Sequence, residues 1–231
     1  MMSQILTGIG WVLFTVLLYQ LSKKIYQLFP TPFTIPMLVA TGLMAFLFIV
    51  LDIPYQHYME SGGGWIAKLL GPGVVAFAIP LYKQRHVLQK YVVPIAGGVL
   101  VGTTVAIASD FAIASLMGTD KSLILSSLPK SVTMPVAMSV SEQVGGVPSL
   151  TAAFVVIAGI TGTITGPILL KWSRVTNSVG KGIGFGCASH IMGVMRAMKN
   201  NEHEGVIGSV TMTLTAILTC LLGPLFAMMF M

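Results

Sequence analysis

Residues 123–140, LILSSLPKSVTMPVAMSV, decide the fold because prolines, hydroxyls and a lysine interrupt an otherwise apolar stretch. Pro129 and Pro135 lack a backbone N–H, and Pro135 would clash with the preceding turn of a continuous helix, at a cost of about 3 kcal/mol or more. The segment is therefore predicted to break near Pro135. In hydrocarbon, freed backbone groups are costly unless protein or a water-filled cavity satisfies them. The break should therefore line a cavity.

The composition is that of a membrane protein. Of the 231 residues, 55% are hydrophobic and 9% are charged, whereas soluble proteins carry roughly 25% charged residues. Six further apolar runs approach the ~20 residues that a helix needs to cross a bilayer: 5–21, 33–51, 66–82, 92–117, 150–170 and 206–231. We predict an all-α, multi-pass protein of the cell (plasma) membrane, with about six to eight hydrophobic helical segments.

The basic residues predict the topology. They cluster in short loops beside apolar spans, as the positive-inside rule describes for cytoplasmic loops. The clusters are Lys23-Lys24, then Lys83, Arg85 and Lys90, then Lys171, Arg174 and Lys181. If every segment crossed, the last cluster would lie outside, whereas a segment 123–140 that turns back within the membrane restores agreement. We therefore expect that segment to be broken or re-entrant, and whether residues 182–198 cross stays open. With this distribution, the net charge of +6 does not indicate nucleic-acid binding.

A faint internal repeat accompanies the interruptions. FPTPFTIP at 29–36 matches LPKSVTMP at 128–135, and GPGVVAFA at 71–78 matches GIGFGCAS at 182–189. Matching Gly/Pro interruptions in two halves point to a transporter built from inverted repeats. We predict a single transmembrane domain over 1–231, with an extra helix in 1–28, one repeat over 29–117 and a second, inverted repeat over 123–231.

The first break carries a candidate anion site. A half-helix that starts inside the membrane directs N–H groups and its positive dipole end at a bound anion, such as a carboxylate. Between Pro129 and Pro135, Lys130 is a candidate counter-charge, and Ser131 and Thr133 are candidate orienting donors. The alternative is that Lys130 reaches the interface and the hydroxyls bond back onto the helix.

The second interrupted segment offers weaker candidates. Ser189 and His190 place a hydroxyl and an imidazole in an apolar run. Three roles are open for His190: substrate binding, proton coupling and a hydrogen bond to a neighbouring helix. Gly193 fits a substrate site or close helix packing, and Arg196 fits a second anion contact or an anchor at a loop. Glu142 is a candidate for ion or proton coupling, for pairing with a cation or with Lys130, or for plain solvation.

Three motifs, in this order, are similar to those of the LrgB/CidB family. They are AIPLY at 78–82, LPKSVTMPVA at 128–137 with Gly145-Gly146, and ASH at 188–190 with Gly193 and Arg196. The likeness runs through essentially the whole chain. Members of that family are described as holin- or antiholin-like modulators of murein hydrolase activity and lysis. Related members include the plastid glycolate/glycerate translocator and bacterial proteins linked to pyruvate uptake.

The resemblance implies transport of small monocarboxylates, often with an LrgA/CidA-type membrane partner. The sequence departs from the family pattern at two places. Many members have Asn-Pro where this chain has Ile35-Pro36, so Thr34 is the candidate polar residue beside the break at Pro36. A threonine of the family pattern is also missing from the stretch GVMRA at 193–197.

Two functional classes remain. The first is a secondary transporter for a glycolate-, lactate- or pyruvate-like solute, working by alternating access on a scaffold that forms a homodimer or a higher homo-oligomer. The second is a holin- or antiholin-like lysis regulator that acts by oligomerising. An enzyme is the poorest fit, because the sequence shows no metal-ligand cluster, no nucleophile with a base and no phosphate-binding loop. No cofactor is expected. Asp110, near the end of the run 92–117, has the same alternatives as Glu142: pairing with a cation or with Lys130, or solvation.

Overall fold

The computed structural model describes residues 2–31, 34–69, 72, 75 and 78–229. The chain forms two compact units, residues 1–73 and 74–231. Throughout the described ranges the regular elements are helices, which confirms the predicted all-α class. The division into repeats over 29–117 and 123–231 stays a prediction.

The first unit is built around the long helix α1 (Met2–Leu28). It is followed by α2 (Pro36–Val50), the short helix α3 (Tyr55–Tyr58), a π-helical turn at Met59–Gly63, and α4 (Gly64–Lys68). On α1, the Trp11 ring meets Phe48 and Tyr58 edge-on, at centroid distances of 5.7 and 5.6 Å. Gly62 lies so close to α1 that a Cβ there would come within 2.5 Å of the Gly8 carbonyl oxygen. Aromatic packing and this close approach hold the π-helical turn against α1.

One predicted span of this region is not matched by a full-length helix. The run 33–51 corresponds to α2, whose 15 residues rise only about 22 Å, because Pro36 sets the first turn and α2 begins there. In the run 66–82, residues 70, 71, 73, 74, 76 and 77 lie outside the described residues.

The second unit contains three helices that are long and apolar enough to cross a membrane: α7, α10 and α12. Two interrupted segments lie between them in the chain. The elements, in order, are α5 (Ala78–Lys83), α6 (Arg85–Lys90), α7 (Val92–Leu116), α8 (Lys121–Ser127), α9 (Met134–Val144), α10 (Pro148–Trp172), α11 (Ser178–Asn200) and α12 (Glu202–Met229). With α1, this makes four such helices among the described residues, and the protein is a multi-pass membrane protein.

Helices α8 and α9 form a re-entrant hairpin, called here the first hairpin. Helix α9 begins at Met134, so Pro135 stands in its first turn, where a missing N–H costs nothing. Beyond α9, the Val147 N–H donates to Ser126 Oγ of α8 at 2.7 Å, across 21 positions of the chain. One continuous helix would hold these residues about 30 Å apart. The predicted break and reversal in residues 123–140 are confirmed.

Helix α11 is also a hairpin, the second hairpin. Its backbone leaves helical geometry at Ser189 (φ −135°, ψ 17°) and His190 (φ 41°, ψ −142°). A Cβ on Gly193 would lie 2.8 Å from the Phe185 carbonyl oxygen, whereas a straight helix would separate these residues by about 12 Å along its axis. The two limbs therefore lie side by side, and residues 182–198 turn back rather than cross.

The positive-inside rule places the two hairpins on opposite sides of the membrane. Lys171 lies in the last turn of α10, Arg174 in the loop that follows, and Lys181 near the start of α11. Arg196 lies on the returning limb of α11, so this rule places the entry of the second hairpin at the cytoplasmic side. Because α7 and α10 cross in opposite directions, the first hairpin enters from the outer face. Each hairpin thus follows a spanning helix, and the two are arranged with opposite orientation.

Both hairpins are buried more deeply than the spanning helices α7 and α10, and α12 is buried to a similar degree. The first hairpin packs with α7, α10 and α12 in a cluster of Ile107, Leu125, Leu128, Val132, Val136, Ala137, Val140, Val144, Val155, Ala216 and Ala227. The second packs with α7 and α12 in a cluster of Ile95, Val99, Cys187, Ile207 and Val210. Protein, rather than lipid, therefore surrounds the interrupted backbone, as a low-dielectric solvent requires.

The hairpin topology predicts which loops are reachable from each side. In a Cys187→Ala/Cys220→Ser background, Asp120→Cys and Glu142→Cys should both react with an impermeant maleimide added outside intact cells. Ser173→Cys and Glu202→Cys should react only after permeabilisation. Labelling is read by gel shift against permeabilised cells as the reference for full reaction. Reaction of the position 120 and 142 variants from opposite sides would contradict the first hairpin.

Candidate functional site

A cavity of about 740 Å³ lies where the two hairpins approach each other. This size is within the roughly 300–1,000 Å³ range of small-molecule sites. Lys130 and Ser131 of the first hairpin and Ser189 of the second line it. Apolar side chains form much of the remaining wall: Ile113, Ala114, Met117, Leu123, Phe154, Ile157, Ala158, Leu169, Leu170 and Phe185. The structure thus brings three of the predicted site residues to one space.

Lys130 is ion-paired with Asp110 of α7. The Ser127 hydroxyl donates to the second oxygen of that carboxylate at 2.6 Å. The Lys130 side chain is 31% exposed and that of Asp110 14%. Glu142, which the sequence left as a candidate partner, is instead exposed near the end of α9. The sequence left both carboxylates as candidates, and the structure selects Asp110.

The tip of the first hairpin presents polar groups at the start of α9. Thr133 is the residue before the first turn, with φ −63° and ψ 143°, but its side chain makes no capping bond. Its Oγ1 is buried without a hydrogen-bond partner in the described structure. Pro129 is buried, and Ser131 is half-buried at the cavity. An unsatisfied hydroxyl beside an open helix N-terminus is suited to hold a ligand oxygen.

Helix α10 is shaped to receive the tip of the second hairpin. His190 is 2% exposed, and its Nε2–H donates to the Val155 carbonyl oxygen at 2.9 Å. The ring lies over Gly159, where a Cβ would come within 2.5 Å of Nε2, and Ser189 Oγ lies over Gly162. His190 is not among the residues that line the cavity. Of the three roles predicted for His190, its geometry matches the hydrogen bond to a neighbouring helix.

The His190 backbone is strained. A positive φ with this ψ disfavours a residue that carries a Cβ, at a cost of about 1–3 kcal/mol. Burial of the ring and its bond to α10 hold the residue there. Its second ring nitrogen, Nδ1, is buried without a partner among the described atoms. A role of His190 in coupling stays a prediction.

Arg196 and Gly193 lie away from the cavity. Gly193 allows the two limbs of α11 to touch, because a Cβ would overlap Ser189 and the Phe185 backbone. Arg196 lines a separate pocket of about 380 Å³ at the cytoplasmic end, together with Lys171, Arg174, Lys181, Asn200 and Glu204. Leu170 and Phe185 line both spaces. These two side chains therefore form a common wall between a basic pocket and the cavity.

Thr34 and Pro36 belong to the first unit and are described within it. Thr34 bonds locally: its hydroxyl donates to the Phe29 carbonyl and lies 3.0 Å from the Thr31 hydroxyl. Pro36 occupies the first turn of α2. Pro32 and Phe33, which complete the first copy of the predicted motif, lie outside the described residues.

Comparison with known proteins gives consistent matches. Residues 15–229 match the LrgB-like family. The chain is 46% identical over 229 residues to the uncharacterized protein YxaC of Bacillus subtilis, covering 99% of both chains. It is 34% identical over 229 residues to the Holin-like protein CidB of Staphylococcus aureus, covering 99% of this chain and 100% of that one. No solved structure matches.

The contact between Gly162 and Ser189 is testable by stability. Gly162→Ala should destabilise the protein by about 1–3 kcal/mol, because the added methyl would overlap the hairpin tip. The change is measured as a lower unfolding temperature in detergent. Gly97→Ala on α7 is the matched control: nothing lies within 4 Å of its Cβ position, so the better helix former should leave stability equal or slightly higher. Equal unfolding temperatures for both variants would contradict the close contact.

Proposed function

Because the chain belongs to the LrgB-like family, and two oppositely oriented hairpins share one cavity, we propose that it is a membrane carrier for small monocarboxylates. The observation that supports this most directly is the placement of Lys130 and Ser189, one from each helix break, on the same cavity. Discontinuous helices whose open ends meet near the middle of the bilayer are how secondary transporters hold polar solutes.

The chemistry of the cavity favours a solute with one carboxylate and a small body. Lys130 is the cation among its described lining residues, and an ammonium bonds a carboxylate strongly where water is scarce. Ser131 and Ser189, which line the cavity with Lys130, are suited to orient the same carboxylate, whereas Thr133 is not among the lining residues. The apolar walls suit the short carbon chain of a glycolate-, lactate- or pyruvate-like molecule.

The hairpins also provide a route to alternating access. Each one reaches the cavity from one side of the membrane, so a small displacement of a hairpin could open the cavity to that side alone. On the cytoplasmic side, Phe185 and Leu170 separate the cavity from the basic pocket. That pocket, with Lys171, Arg174 and Arg196, is suited to attract anions by long-range electrostatics.

A second function is favoured by a different observation. The Staphylococcus relative, which aligns over the full length, is named a holin-like protein. On this reading the chain regulates lysis by oligomerising, with or without an LrgA/CidA-type partner, and changes membrane permeability without binding a solute. This reading assigns no role to Lys130 or to the cavity.

Transport in purified liposomes separates the two functions. Wild-type protein should catalyse saturable counterflow of radiolabelled glycolate, L-lactate or pyruvate. Lys130→Gln should lower the rate about tenfold or more, because a charge-assisted hydrogen bond is lost. Lys121→Ala, which removes an exposed lysine at the start of α8 of the same hairpin, is the control and should transport normally. Monodisperse elution in detergent confirms that each variant is folded.

The same liposomes test the holin-like function. A carrier should retain co-trapped calcein and small dextrans while it exchanges carboxylate. Release of these unrelated solutes in order of size, with no saturable counterflow by wild-type protein, would refute the carrier proposal and support a permeability role.

A further inference from the structure

The partner of Lys130 raises a question for carboxylate binding. In this structure the ammonium already faces the Asp110 carboxylate, so the pair is neutral and a substrate anion would meet a charge that is already compensated. A second carboxylate could displace the first only if the charge on Asp110 were removed, since two carboxylates beside one ammonium repel each other.

We infer that Asp110 is the proton-binding group that couples a proton to each carboxylate carried, an inference that rests on the proposed transport function. A proton from water binds the Asp110 carboxylate and breaks its ion pair with Lys130. The ammonium then pairs with the substrate carboxylate. Proton and anion are released together on the other side, and the Asp110–Lys130 pair re-forms. One proton and one monocarboxylate cross, with no net charge.

The surroundings of Asp110 suit this exchange. Among the described residues that line the cavity, Asp110 and Lys130 are the ones with titratable side chains, so a proton arriving there has one carboxylate to bind. Ser127, which donates to Asp110 at 2.6 Å, has a hydroxyl that can rotate and accept from the protonated acid instead. The neutral acid therefore keeps a hydrogen-bond partner after Lys130 leaves.

Other titratable groups on the elements packed against α7 have their described contacts away from Asp110; Cys187 of α11 lies against α7 but at the Gly98 carbonyl. On α11, the His190 ring bonds to Val155 of α10, and Lys181 pairs with Glu204 of α12 at the cytoplasmic end. Arg85, His86 and Lys90 of α6 adjoin the opposite end of α7. From the first hairpin, Lys130 and Ser127 face Asp110.

The Asp110–Lys130 pair should be needed for net transport of the substrate but not for its exchange. Net uptake requires that the empty carrier return, and an unpaired Lys130 ammonium would oppose that return because a lone charge is costly in the membrane. Re-formation of the neutral pair allows it. Substrate exchange does not need this step, because Lys130 is paired with a substrate carboxylate during each crossing.

The test compares two assays on wild-type and Asp110→Asn protein in liposomes, using L-lactate, glycolate and pyruvate in turn. With the outside about one pH unit more acidic, wild type should accumulate the carried solute about tenfold, the limit for one proton per anion. A protonophore and protein-free liposomes are the controls. Asp110→Asn should show no pH-driven accumulation, so its ratio of accumulation to counterflow should fall, whereas Lys121→Ala, outside the cavity, should show both as wild type does.

The outcomes separate this inference from the proposed function. Absence of counterflow by wild type would overturn transport itself. Counterflow by wild type without pH-driven accumulation, or accumulation by Asp110→Asn equal to wild type, would overturn the role of Asp110 alone. Because Asp110→Asn could fail to fold, an internal pH dye in wild-type liposomes gives an independent measure: lactate addition should acidify the interior by one proton per lactate taken up.

Discussion

The structure depends on one constraint: backbone N–H and C=O groups cannot be left unpaired in hydrocarbon. Two helices in the second unit are interrupted, at 128–133 and at Ser189–His190. Each interruption frees several groups at once, so both must be covered by protein or face a cavity. The spanning helices α7, α10 and α12 provide that cover, and the apolar clusters of the two hairpins lie against them. The burial of the two helix interruptions and the cavity beside them thus both follow from the need to satisfy freed backbone groups.

Small residues allow a spanning helix to pack closely over the interrupted backbone. Gly159 and Gly162 let the tip of the second hairpin, with Ser189 and His190, approach α10 more closely than a side chain would allow. Asp110 of α7 holds the first hairpin instead, because it pairs with Lys130 and accepts a hydrogen bond from Ser127, both of that hairpin. The tip of the second hairpin is held mainly by close packing and one hydrogen bond, and the tip of the first is held by an ion pair. A ligand carboxylate can replace the carboxylate of an ion pair, whereas close packing leaves no room for a ligand.

The family and the geometry bear on different properties of the protein. The full-length similarity to relatives that include a holin-like protein establishes membership in the LrgB-like family. The hairpins, the cavity and the ion pair describe a means of holding a small anion inside the membrane. A permeability function would depend on lipid-facing side chains such as Val101 and Val105 of α7 and Ile164 and Ile168 of α10, which are not among the residues that line the cavity. The two functions therefore make different demands on different residues.

The sequence by itself determined the membrane class, the spans near α7, α10 and α12, and the break between Pro129 and Pro135. These are local properties, since apolar length and the missing proline N–H act wherever the segment lies. Charge bias further predicted the reversal of residues 123–140. Tertiary structure alone decided the reversal at Ser189–His190, where no proline marks the turn and packing on α10 holds a strained backbone. It also decided that Asp110, rather than Glu142, pairs with Lys130, because the partner depends on which face of α7 meets the hairpin.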